Sequence, residues 1–294
     1  MKVLLAIAHF YRAQENATHS SEAAEAQEER ARAVRSVIEA WRGHLGAASI
    51  LNVERKVFEP VAGAEDALDI VVLVTGEDHL LDAEFCARHR VKLVQVAVQN
   101  PRLLPFGAHR LFADLRNAYD MLVYSEDDLR PAEGTLLSKI AGFAETFGWR
   151  RLLMPNRFEW NLQGPALKTY IDGDLPNDAI DKYVQALPDE PALRQRIPGR
   201  ELAFARARNP HAGFFALTSE QMRHWVQQPH FNDIDCSFYT PLESAATLAM
   251  LKTFPIYKPC GGSSGWLELE HLDSRYSRMT FRRIGLPKTD SGAA

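Results

Sequence analysis

Cysteine is scarce in this chain: Cys86, Cys236 and Cys260 are odd in number and far apart over 294 positions. That excludes a disulfide framework or a paired CxxC zinc pattern and fits a reducing compartment. Long hydrophobic runs are missing too. No stretch approaches the roughly 20 apolar residues that span a bilayer. The opening MKVLLAIAHFY is too short in its apolar run, and lacks the small-residue cleavage site, for a signal peptide. The expectation is a cytoplasmic protein with no transmembrane segment; contact with a membrane surface is left open. Nor is there an excess of cations, since 34 Lys and Arg face 38 Asp and Glu for a formal net charge of -4. Nucleic acid is therefore not the expected partner, because binding it needs surplus basic residues to displace phosphate counterions. Any anionic ligand must be held by a local cluster or through a bound cation. Neither a P-loop nor a GxGxxG string occurs, which argues against P-loop kinases and typical dinucleotide enzymes.

What is present is ordinary for a water-soluble globular enzyme, with 46% hydrophobic and 24% charged residues. Residues 2–8 form a short apolar run, as a buried first strand would. Ser21, with Glu22 and Glu25 after it, reads as a helix start; Ala31, Val34, Ile38, Trp41 and Leu45 then recur at helical spacing before Gly46. Strands are expected over 49–53, 69–74 (DIVVLV), 91–98 (VKLVQVAV) and 121–124, with a helix over 107–118. Alternation of this kind predicts a mostly parallel sheet with helices on both faces. Ligands of such sheets gather beyond the carboxyl ends of the strands. The second half is less regular: strands over 151–154, 158–162, 212–217 and 254–258, and helices over 177–186, 219–227 capped by Ser219, and 242–251. One domain is expected, in two halves, 1–131 and 132–285, the second elaborated for a second substrate, with 286–294 as a loose tail.

The sharpest local feature is MLVYSEDDLRP, residues 121–131, which sets three acids at the end of a buried strand. Adjacent carboxylates repel unless a cation relieves them, and oxygen ligands suit Mg²⁺ or Mn²⁺. In an extended segment Glu126 and Asp128 project to one side and Asp127 to the other. A solvated acidic turn is the plainer alternative. Tyr124-Ser125-Glu126-Asp127-Asp128-Leu129 resembles the DxD motif of glycosyltransferases with the Rossmann-like GT-A fold. The Glu-Asp-Asp-Leu variant is similar to that of the N-acetylglucosaminyltransferase I group. The resemblance also covers the order of elements before the motif, and it is weak beyond residue 131.

The resemblance implies a metal-dependent glycosyltransferase, hexosyl or N-acetylhexosaminyl. It would move a sugar from a nucleotide-diphospho-sugar, UDP-linked by preference, to a hydroxyl acceptor such as a glycan. It makes Asp128 a metal ligand with Glu126, puts Glu126 and Asp127 at the donor, and makes 1–131 the donor-binding half and 132–285 the acceptor-binding half. If the donor lies across the sheet, His9, Tyr11 and Arg12 stand at the end of the first strand, where Tyr11 could stack on a base and Arg12 meet a phosphate; core packing of Phe10 and Tyr11 is the alternative. GT-A enzymes often carry a basic residue near Arg110, with His109 as the other choice, and a surface ion pair competes. The string NPHAGFF, with His211, Gly213 and Phe214, resembles an acceptor-side loop, although a packed edge strand would read the same. Glu243, ahead of Asp235, is the candidate general base on the acceptor hydroxyl; its other role would be to complement a helix start. His271 matches a C-terminal metal-binding histidine by position only. The glycine-rich piece before it could be a mobile flap, and Arg275 or Arg278 could meet phosphate.

Two other strings compete. Gly261-Gly262-Ser263-Ser264-Gly265 fits GxSxG, but His271 and Asp273 follow too closely and in the wrong order for a hydrolase. Asp172-Gly173-Asp174 is a second DxD string, read as a turn. A nucleotidyltransferase acting on sugar phosphates and a non-catalytic carbohydrate-binding protein are the rival functions.

Overall fold

The structure is a computed structural model that describes residues 1–12, 27–62, 67–160, 167–176, 179–184, 191–273 and 276. The expected cap at Ser21 with Glu22 and Glu25, the phosphate candidates Arg275 and Arg278, and the tail 286–294 lie outside the described residues. In chain order the first half runs β1 (Val3–Ala8), α1 (Gln27–Leu45), β2 (Ser49–Asn52), β3 (Val57–Pro60), β4 (Leu68–Val74), α2 (Ala83–Arg88), β5 (Val91–Gln95), α3 (Phe106–Leu115), β6 (Met121–Glu126), β7 (Leu129–Pro131) and α4 (Leu136–Phe147). The second half runs β8 (Leu152–Leu153), β9 (Asn156–Trp160), β10 (Lys168–Tyr170), β11 (Leu193–Ile197), β12 (Arg200–Arg206), β13 (Phe214–Thr218), α5 (Ser219–Val226), α6 (Pro241–Glu243), α7 (Ala249–Thr253), β14 (Ile256–Pro259) and β15 (Glu268–His271). A π-helical turn, Ser244–Leu248, joins α6 to α7.

The fold is mixed α/β around a five-stranded sheet ordered β13-β6-β1-β4-β5, in which only β13 runs antiparallel. The near-continuous apolar runs of β1, β4 and β6 are what a sheet covered on both faces requires. Adjacent residues of β13 show the two layers. Phe214 stacks on Trp41 of α1, with ring centres 6.2 Å apart, while Phe215 turns to Phe112 of α3 and Trp225 of α5. The chain leaves β1 for β4 on one side and reaches β6 on the other. That reversal opens a crevice above the carboxyl ends of β1 and β6, the usual ligand position.

Two smaller sheets complete the second half, ordered β10-β9-β15-β7 and β11-β12-β14-β8. The first matters for the site: β15 pairs antiparallel with β7, opposing His271 to Leu129, and the Leu272 N–H donates to the Asp128 carbonyl at 2.9 Å. Several expectations change. The strand over 49–53 lies outside the main sheet, pairing with β3 in an exposed ribbon. The described part of 177–186 makes turns, not a helix, and residues 161–162 of the expected 158–162 strand are not described. Three strands, β10 to β12, lie between 168 and 206, where no strand is expected. The α5 cap is Thr218, in a reciprocal box with Gln221, because the hydroxyl of Thr218 is the one that reaches the N3 backbone. The glycine-rich piece is not a free flap: it winds as a 3₁₀ helix, Gly261–Trp266, with Ser263 and Trp266 buried, and leads straight into β15. Ser263 spends its hydroxyl on the Ala203 N–H, as a structural serine does.

Candidate active site

β1 and β6 are in register, Ala8 beside Glu126, so both strands deliver their next residues to the same crevice. His9 follows β1 and is fully buried. Its Nε2 accepts the Leu80 backbone N–H at 3.1 Å, so Nδ1 carries the proton and donates to Asp127 Oδ2 at 2.5 Å. Arg30, on the first turns of α1, grips Asp127 with Nη2 at 2.7 and 2.8 Å and reaches Asp128 Oδ2 with Nη1 at 3.3 Å. Burial alone would raise the Asp127 carboxyl, but the Arg30 charge and the His9 hydrogen bond outweigh it and hold it down at about 2. The repulsion expected within the acidic triplet is thus relieved first by the protein's own arginine.

Asp127 and Asp128 form the turn between β6 and β7, so the strict alternation of an extended chain stops at Glu126. Asp128 keeps one buried oxygen, Oδ1, without a hydrogen-bond partner. Its other oxygen lies 3.9 Å from His271 Nε2. The opposite nitrogen of that ring, Nδ1, bonds the buried Glu159 carboxylate at 2.8 Å, which fixes the ring and turns Nε2 toward Asp128. Burial disfavours charge on His271, yet Asp128 and the Glu159 bond outweigh that and raise its pKa. An imidazole nitrogen oriented by a carboxylate, beside an acid whose second oxygen is unpartnered, is a pair of side chains of the kind that divalent cations take. Among the described residues no group of three or more His, Cys, Asp and Glu is arranged to hold a metal. Asp128 and His271 offer two donors, and an ion held there would need its remaining positions filled by oxygens of a ligand or water.

Glu126 turns elsewhere. Burial, and then the charge of Asp128, push its carboxyl up to about 7. It lies 3.9 Å from Arg157 Nη1 and against Gly213, whose φ is +57° and whose added Cβ would run into the Glu126 carboxylate and Leu129. Glycine is needed at that point for backbone conformation and for space. Arg157 is buried and held by Asp172, with Nε and Nη2 at 3.0 and 2.8 Å from Oδ1. Lys258 Nζ meets Asp172 Oδ2 at 2.9 Å and the His211 carbonyl at 2.6 Å. Asp172 titrates well below the usual carboxylate range, its burial outweighed by Lys258 and Arg157. Glu243 sits in α6, its carboxylate accepting from the Thr240 hydroxyl, and its charge reaches Glu126.

No protein-family model matches the chain, and no curated protein sequence matches it. Distant likenesses exist among solved structures. One is a glucosyl-3-phosphoglycerate synthase from Mycobacterium tuberculosis, crystallised with Mn²⁺, UDP-glucose and phosphoglyceric acid. It shares 12% identity at a TM-score of 0.36, over 74% of this chain and 57% of that one. Another is TarS of S. aureus, with 9% identity, a TM-score of 0.45, and 92% and 36% of the two chains covered. A mycobacterial protein shares 12% identity at 0.44, over 92% and 67%. The chain spans little more than half the length of the first of these. The likenesses are too distant to assign an activity.

The structure gathers Glu126, Asp127, Asp128 and His271 with His9, and it corrects several roles. Both ring nitrogens of His9 are taken, so it orients Asp127 and has none left for a donor. Tyr11 is 7% exposed, a packed ring and not an open stacking face. Arg12 pairs with Asp78 at the surface. Arg110 points to Asn232 at 3.4 Å, and the alternative His109 is buried, its Nε2 bonded to the Ala245 carbonyl, with burial lowering its pKa to about 4. Asp235 accepts from Lys252 and the Ser237 N–H, which shapes its own loop. Phe214 is fully buried against Trp41 and offers no face to a sugar. His211 bonds the Thr247 hydroxyl at 2.8 Å and braces the Lys258 network. Asp172, expected in a plain turn, is the centre of a buried ion network. Arg30, Glu159 and Arg157 are the residues that sequence reasoning missed. The alternating Arg157-Phe158-Glu159 is the one available signal, two charges on the same face of a strand.

Proposed function

We propose that the chain is a GT-A glycosyltransferase that binds a nucleotide-diphospho-sugar, UDP-linked by preference, through Mn²⁺ or Mg²⁺ at Asp128 and His271. The observation that carries this reading is the unpartnered, buried Oδ1 of Asp128 beside an imidazole nitrogen aimed by Glu159, in the crevice where the sheet reverses. A bound divalent ion would offset charge on the leaving diphosphate. The chain's own residues do the rest. His9 and Arg30 lock Asp127, so the turn that carries Asp128 cannot swing. Arg157, held by Asp172, keeps one guanidinium nitrogen toward Glu126, where a sugar or ribose hydroxyl would find both a donor and an acceptor. Glu243 is the candidate base that takes the proton from the acceptor hydroxyl. A glycan or another hydroxyl compound fits as acceptor.

The test is a panel of nucleotide sugars with Mn²⁺ or Mg²⁺, followed by NMR for release of nucleoside diphosphate with and without hydroxyl acceptors. Metal-dependent release supports the reading, whereas release of pyrophosphate from a nucleoside triphosphate and a sugar phosphate would move the assignment to a nucleotidyltransferase. Glu243→Gln is expected to slow transfer by about 10² or more, the usual worth of a general base, and to leave donor affinity nearly intact. A loss confined to donor affinity removes Glu243 from that role.

A further inference from the structure

Arg30 meets the acidic turn with two unlike arms. Nη2 grips both oxygens of Asp127 at 2.7 and 2.8 Å, the ordinary length of a charge-assisted bond. Nη1 reaches Asp128 Oδ2 at 3.3 Å, a long contact for a pair whose side chains are 19 and 15% exposed. That same Oδ2 stands 3.9 Å from His271 Nε2. A guanidinium and the candidate metal position therefore claim one oxygen. Nearby cations are engaged elsewhere: Arg157 and Lys258 bond Asp172, Arg130 bonds Glu270, and Arg12 bonds Asp78. Among the described residues, Arg30 is the arginine hydrogen-bonded to Asp127 and Asp128, and none of them takes a bond from its Nε. A plain counter-ion would close both carboxylates. Arg30 closes Asp127 and leaves Asp128 Oδ1 buried without a partner.

We infer that Arg30 binds the ligand's diphosphate and makes metal binding depend on it. This rests on the reading of the crevice as a metal–diphosphate site. Nη1 holds Asp128 Oδ2, so a dication entering alone meets a competitor for that oxygen and the repulsion of a fixed positive charge. Arginine keeps its charge at any working pH. A nucleoside diphosphate supplies the negative charge that offsets the repulsion, and its oxygens suit the planar guanidinium fork. Nη1 then passes from Asp128 to a phosphate oxygen, while Nη2 stays on Asp127. The longer bond is the one released. His9 also holds Asp127, at 2.5 Å, so the exchange needs no movement of the turn.

Two titrations on the full chain test it: Mn²⁺ alone, read by electron paramagnetic resonance of the free ion, and UDP in saturating Mn²⁺, read by calorimetry. Arg30→Met should bind Mn²⁺ alone about 10-fold more tightly, because a competing charge is gone. The same variant should bind UDP about 10- to 100-fold more weakly, the loss of a hydrogen bond to a charged group. Shifts of opposite sign are the signature, since damage to the turn would weaken both. Arg30→Lys keeps a charge beside Asp127 and loses the fork, so it carries the test if Arg30→Met does not fold. It should bind Mn²⁺ alone as the wild type does and UDP more weakly. Mn²⁺ affinity that fails to rise in a folded Arg30→Met, or UDP affinity indifferent to either substitution, overturns the inference and leaves the reading of the crevice standing. A wild type that binds UDP at no Mn²⁺ concentration overturns both.

Discussion

The acidic strings Glu126-Asp127-Asp128 and Asp172-Gly173-Asp174 look alike as sequence and are used in opposite ways. Both oxygens of Asp172 are matched, Oδ1 by Arg157 and Oδ2 by Lys258, deep in the second half. Asp128 has one oxygen at 3.3 Å from Arg30 and one with no partner at all. A buried acid with every oxygen matched holds the fold; one with an open oxygen is available to a cation. Asp127 belongs with Asp172 in this respect, although it neighbours Asp128 in the chain. The distinction is set by what the surrounding elements bring, not by the acids themselves.

Stability measurements can break that comparison. Asp172→Ala leaves Arg157 and Lys258 buried without their counter-ion, and should cost about 3–5 kcal/mol in urea unfolding. A loss under about 1 kcal/mol would mean the network is not holding the second half. Asp127→Asn keeps the shape and loses the charge-assisted bonds to Arg30 and His9, a cost of about 2–3 kcal/mol at pH 7. Because Asp127 is held below its unfolded value, its contribution is full above about pH 4 and disappears as pH falls through about 2. The wild type and Asp127→Asn should therefore converge in acid.

Glu126 shows the opposite sign. Its native carboxyl, up at about 7 against 4.5, binds its proton more tightly folded than unfolded. It is neutral to stability below about pH 4, and costs more as pH rises toward 7 and stays costly above it. Glu126→Gln should gain about 1–3 kcal/mol at pH 8 and nothing at pH 4. No gain at pH 8 would show that Arg157 already compensates the charge. The smallest stability change is expected for Asp128→Asn, within about 1 kcal/mol, since it removes a charge that the fold does not fully use.

Much of the first half was legible because its strands are apolar runs without interruption. Residues 69–74 could be placed because a buried parallel strand has no polar face to confuse its period, whereas the edge strand expected over 91–98 is half-exposed and ends at Gln95. The acids of the triplet stood out for the same reason, at the end of such a run. Their partners did not. Arg30 reaches Asp127 across 97 positions, and nothing in QEERARAV marks one arginine among its neighbours. His271 could be named only by its place in the chain, because the β15–β7 register that carries it to Asp128 is a tertiary fact. β10, β11 and β12 are hard to see because they are short or half-exposed and carry several charged or polar residues, a weak strand signal beside the proline and glycine around them. Phe214 was misread because an aromatic at a strand start is the same letter in a core or at a ligand; only Trp41 opposite it decides.

The proposed function turns on whether the unpartnered oxygen of Asp128 takes a divalent ion together with a nucleotide's phosphates. Titration calorimetry of UDP into the wild type and Asp128→Asn, each with and without Mn²⁺, decides it. Saturable binding that requires manganese in the wild type, and is lost in an Asp128→Asn protein of unchanged stability, is the predicted result. Equal binding by the two proteins, or none by the wild type at any manganese concentration, would contradict it.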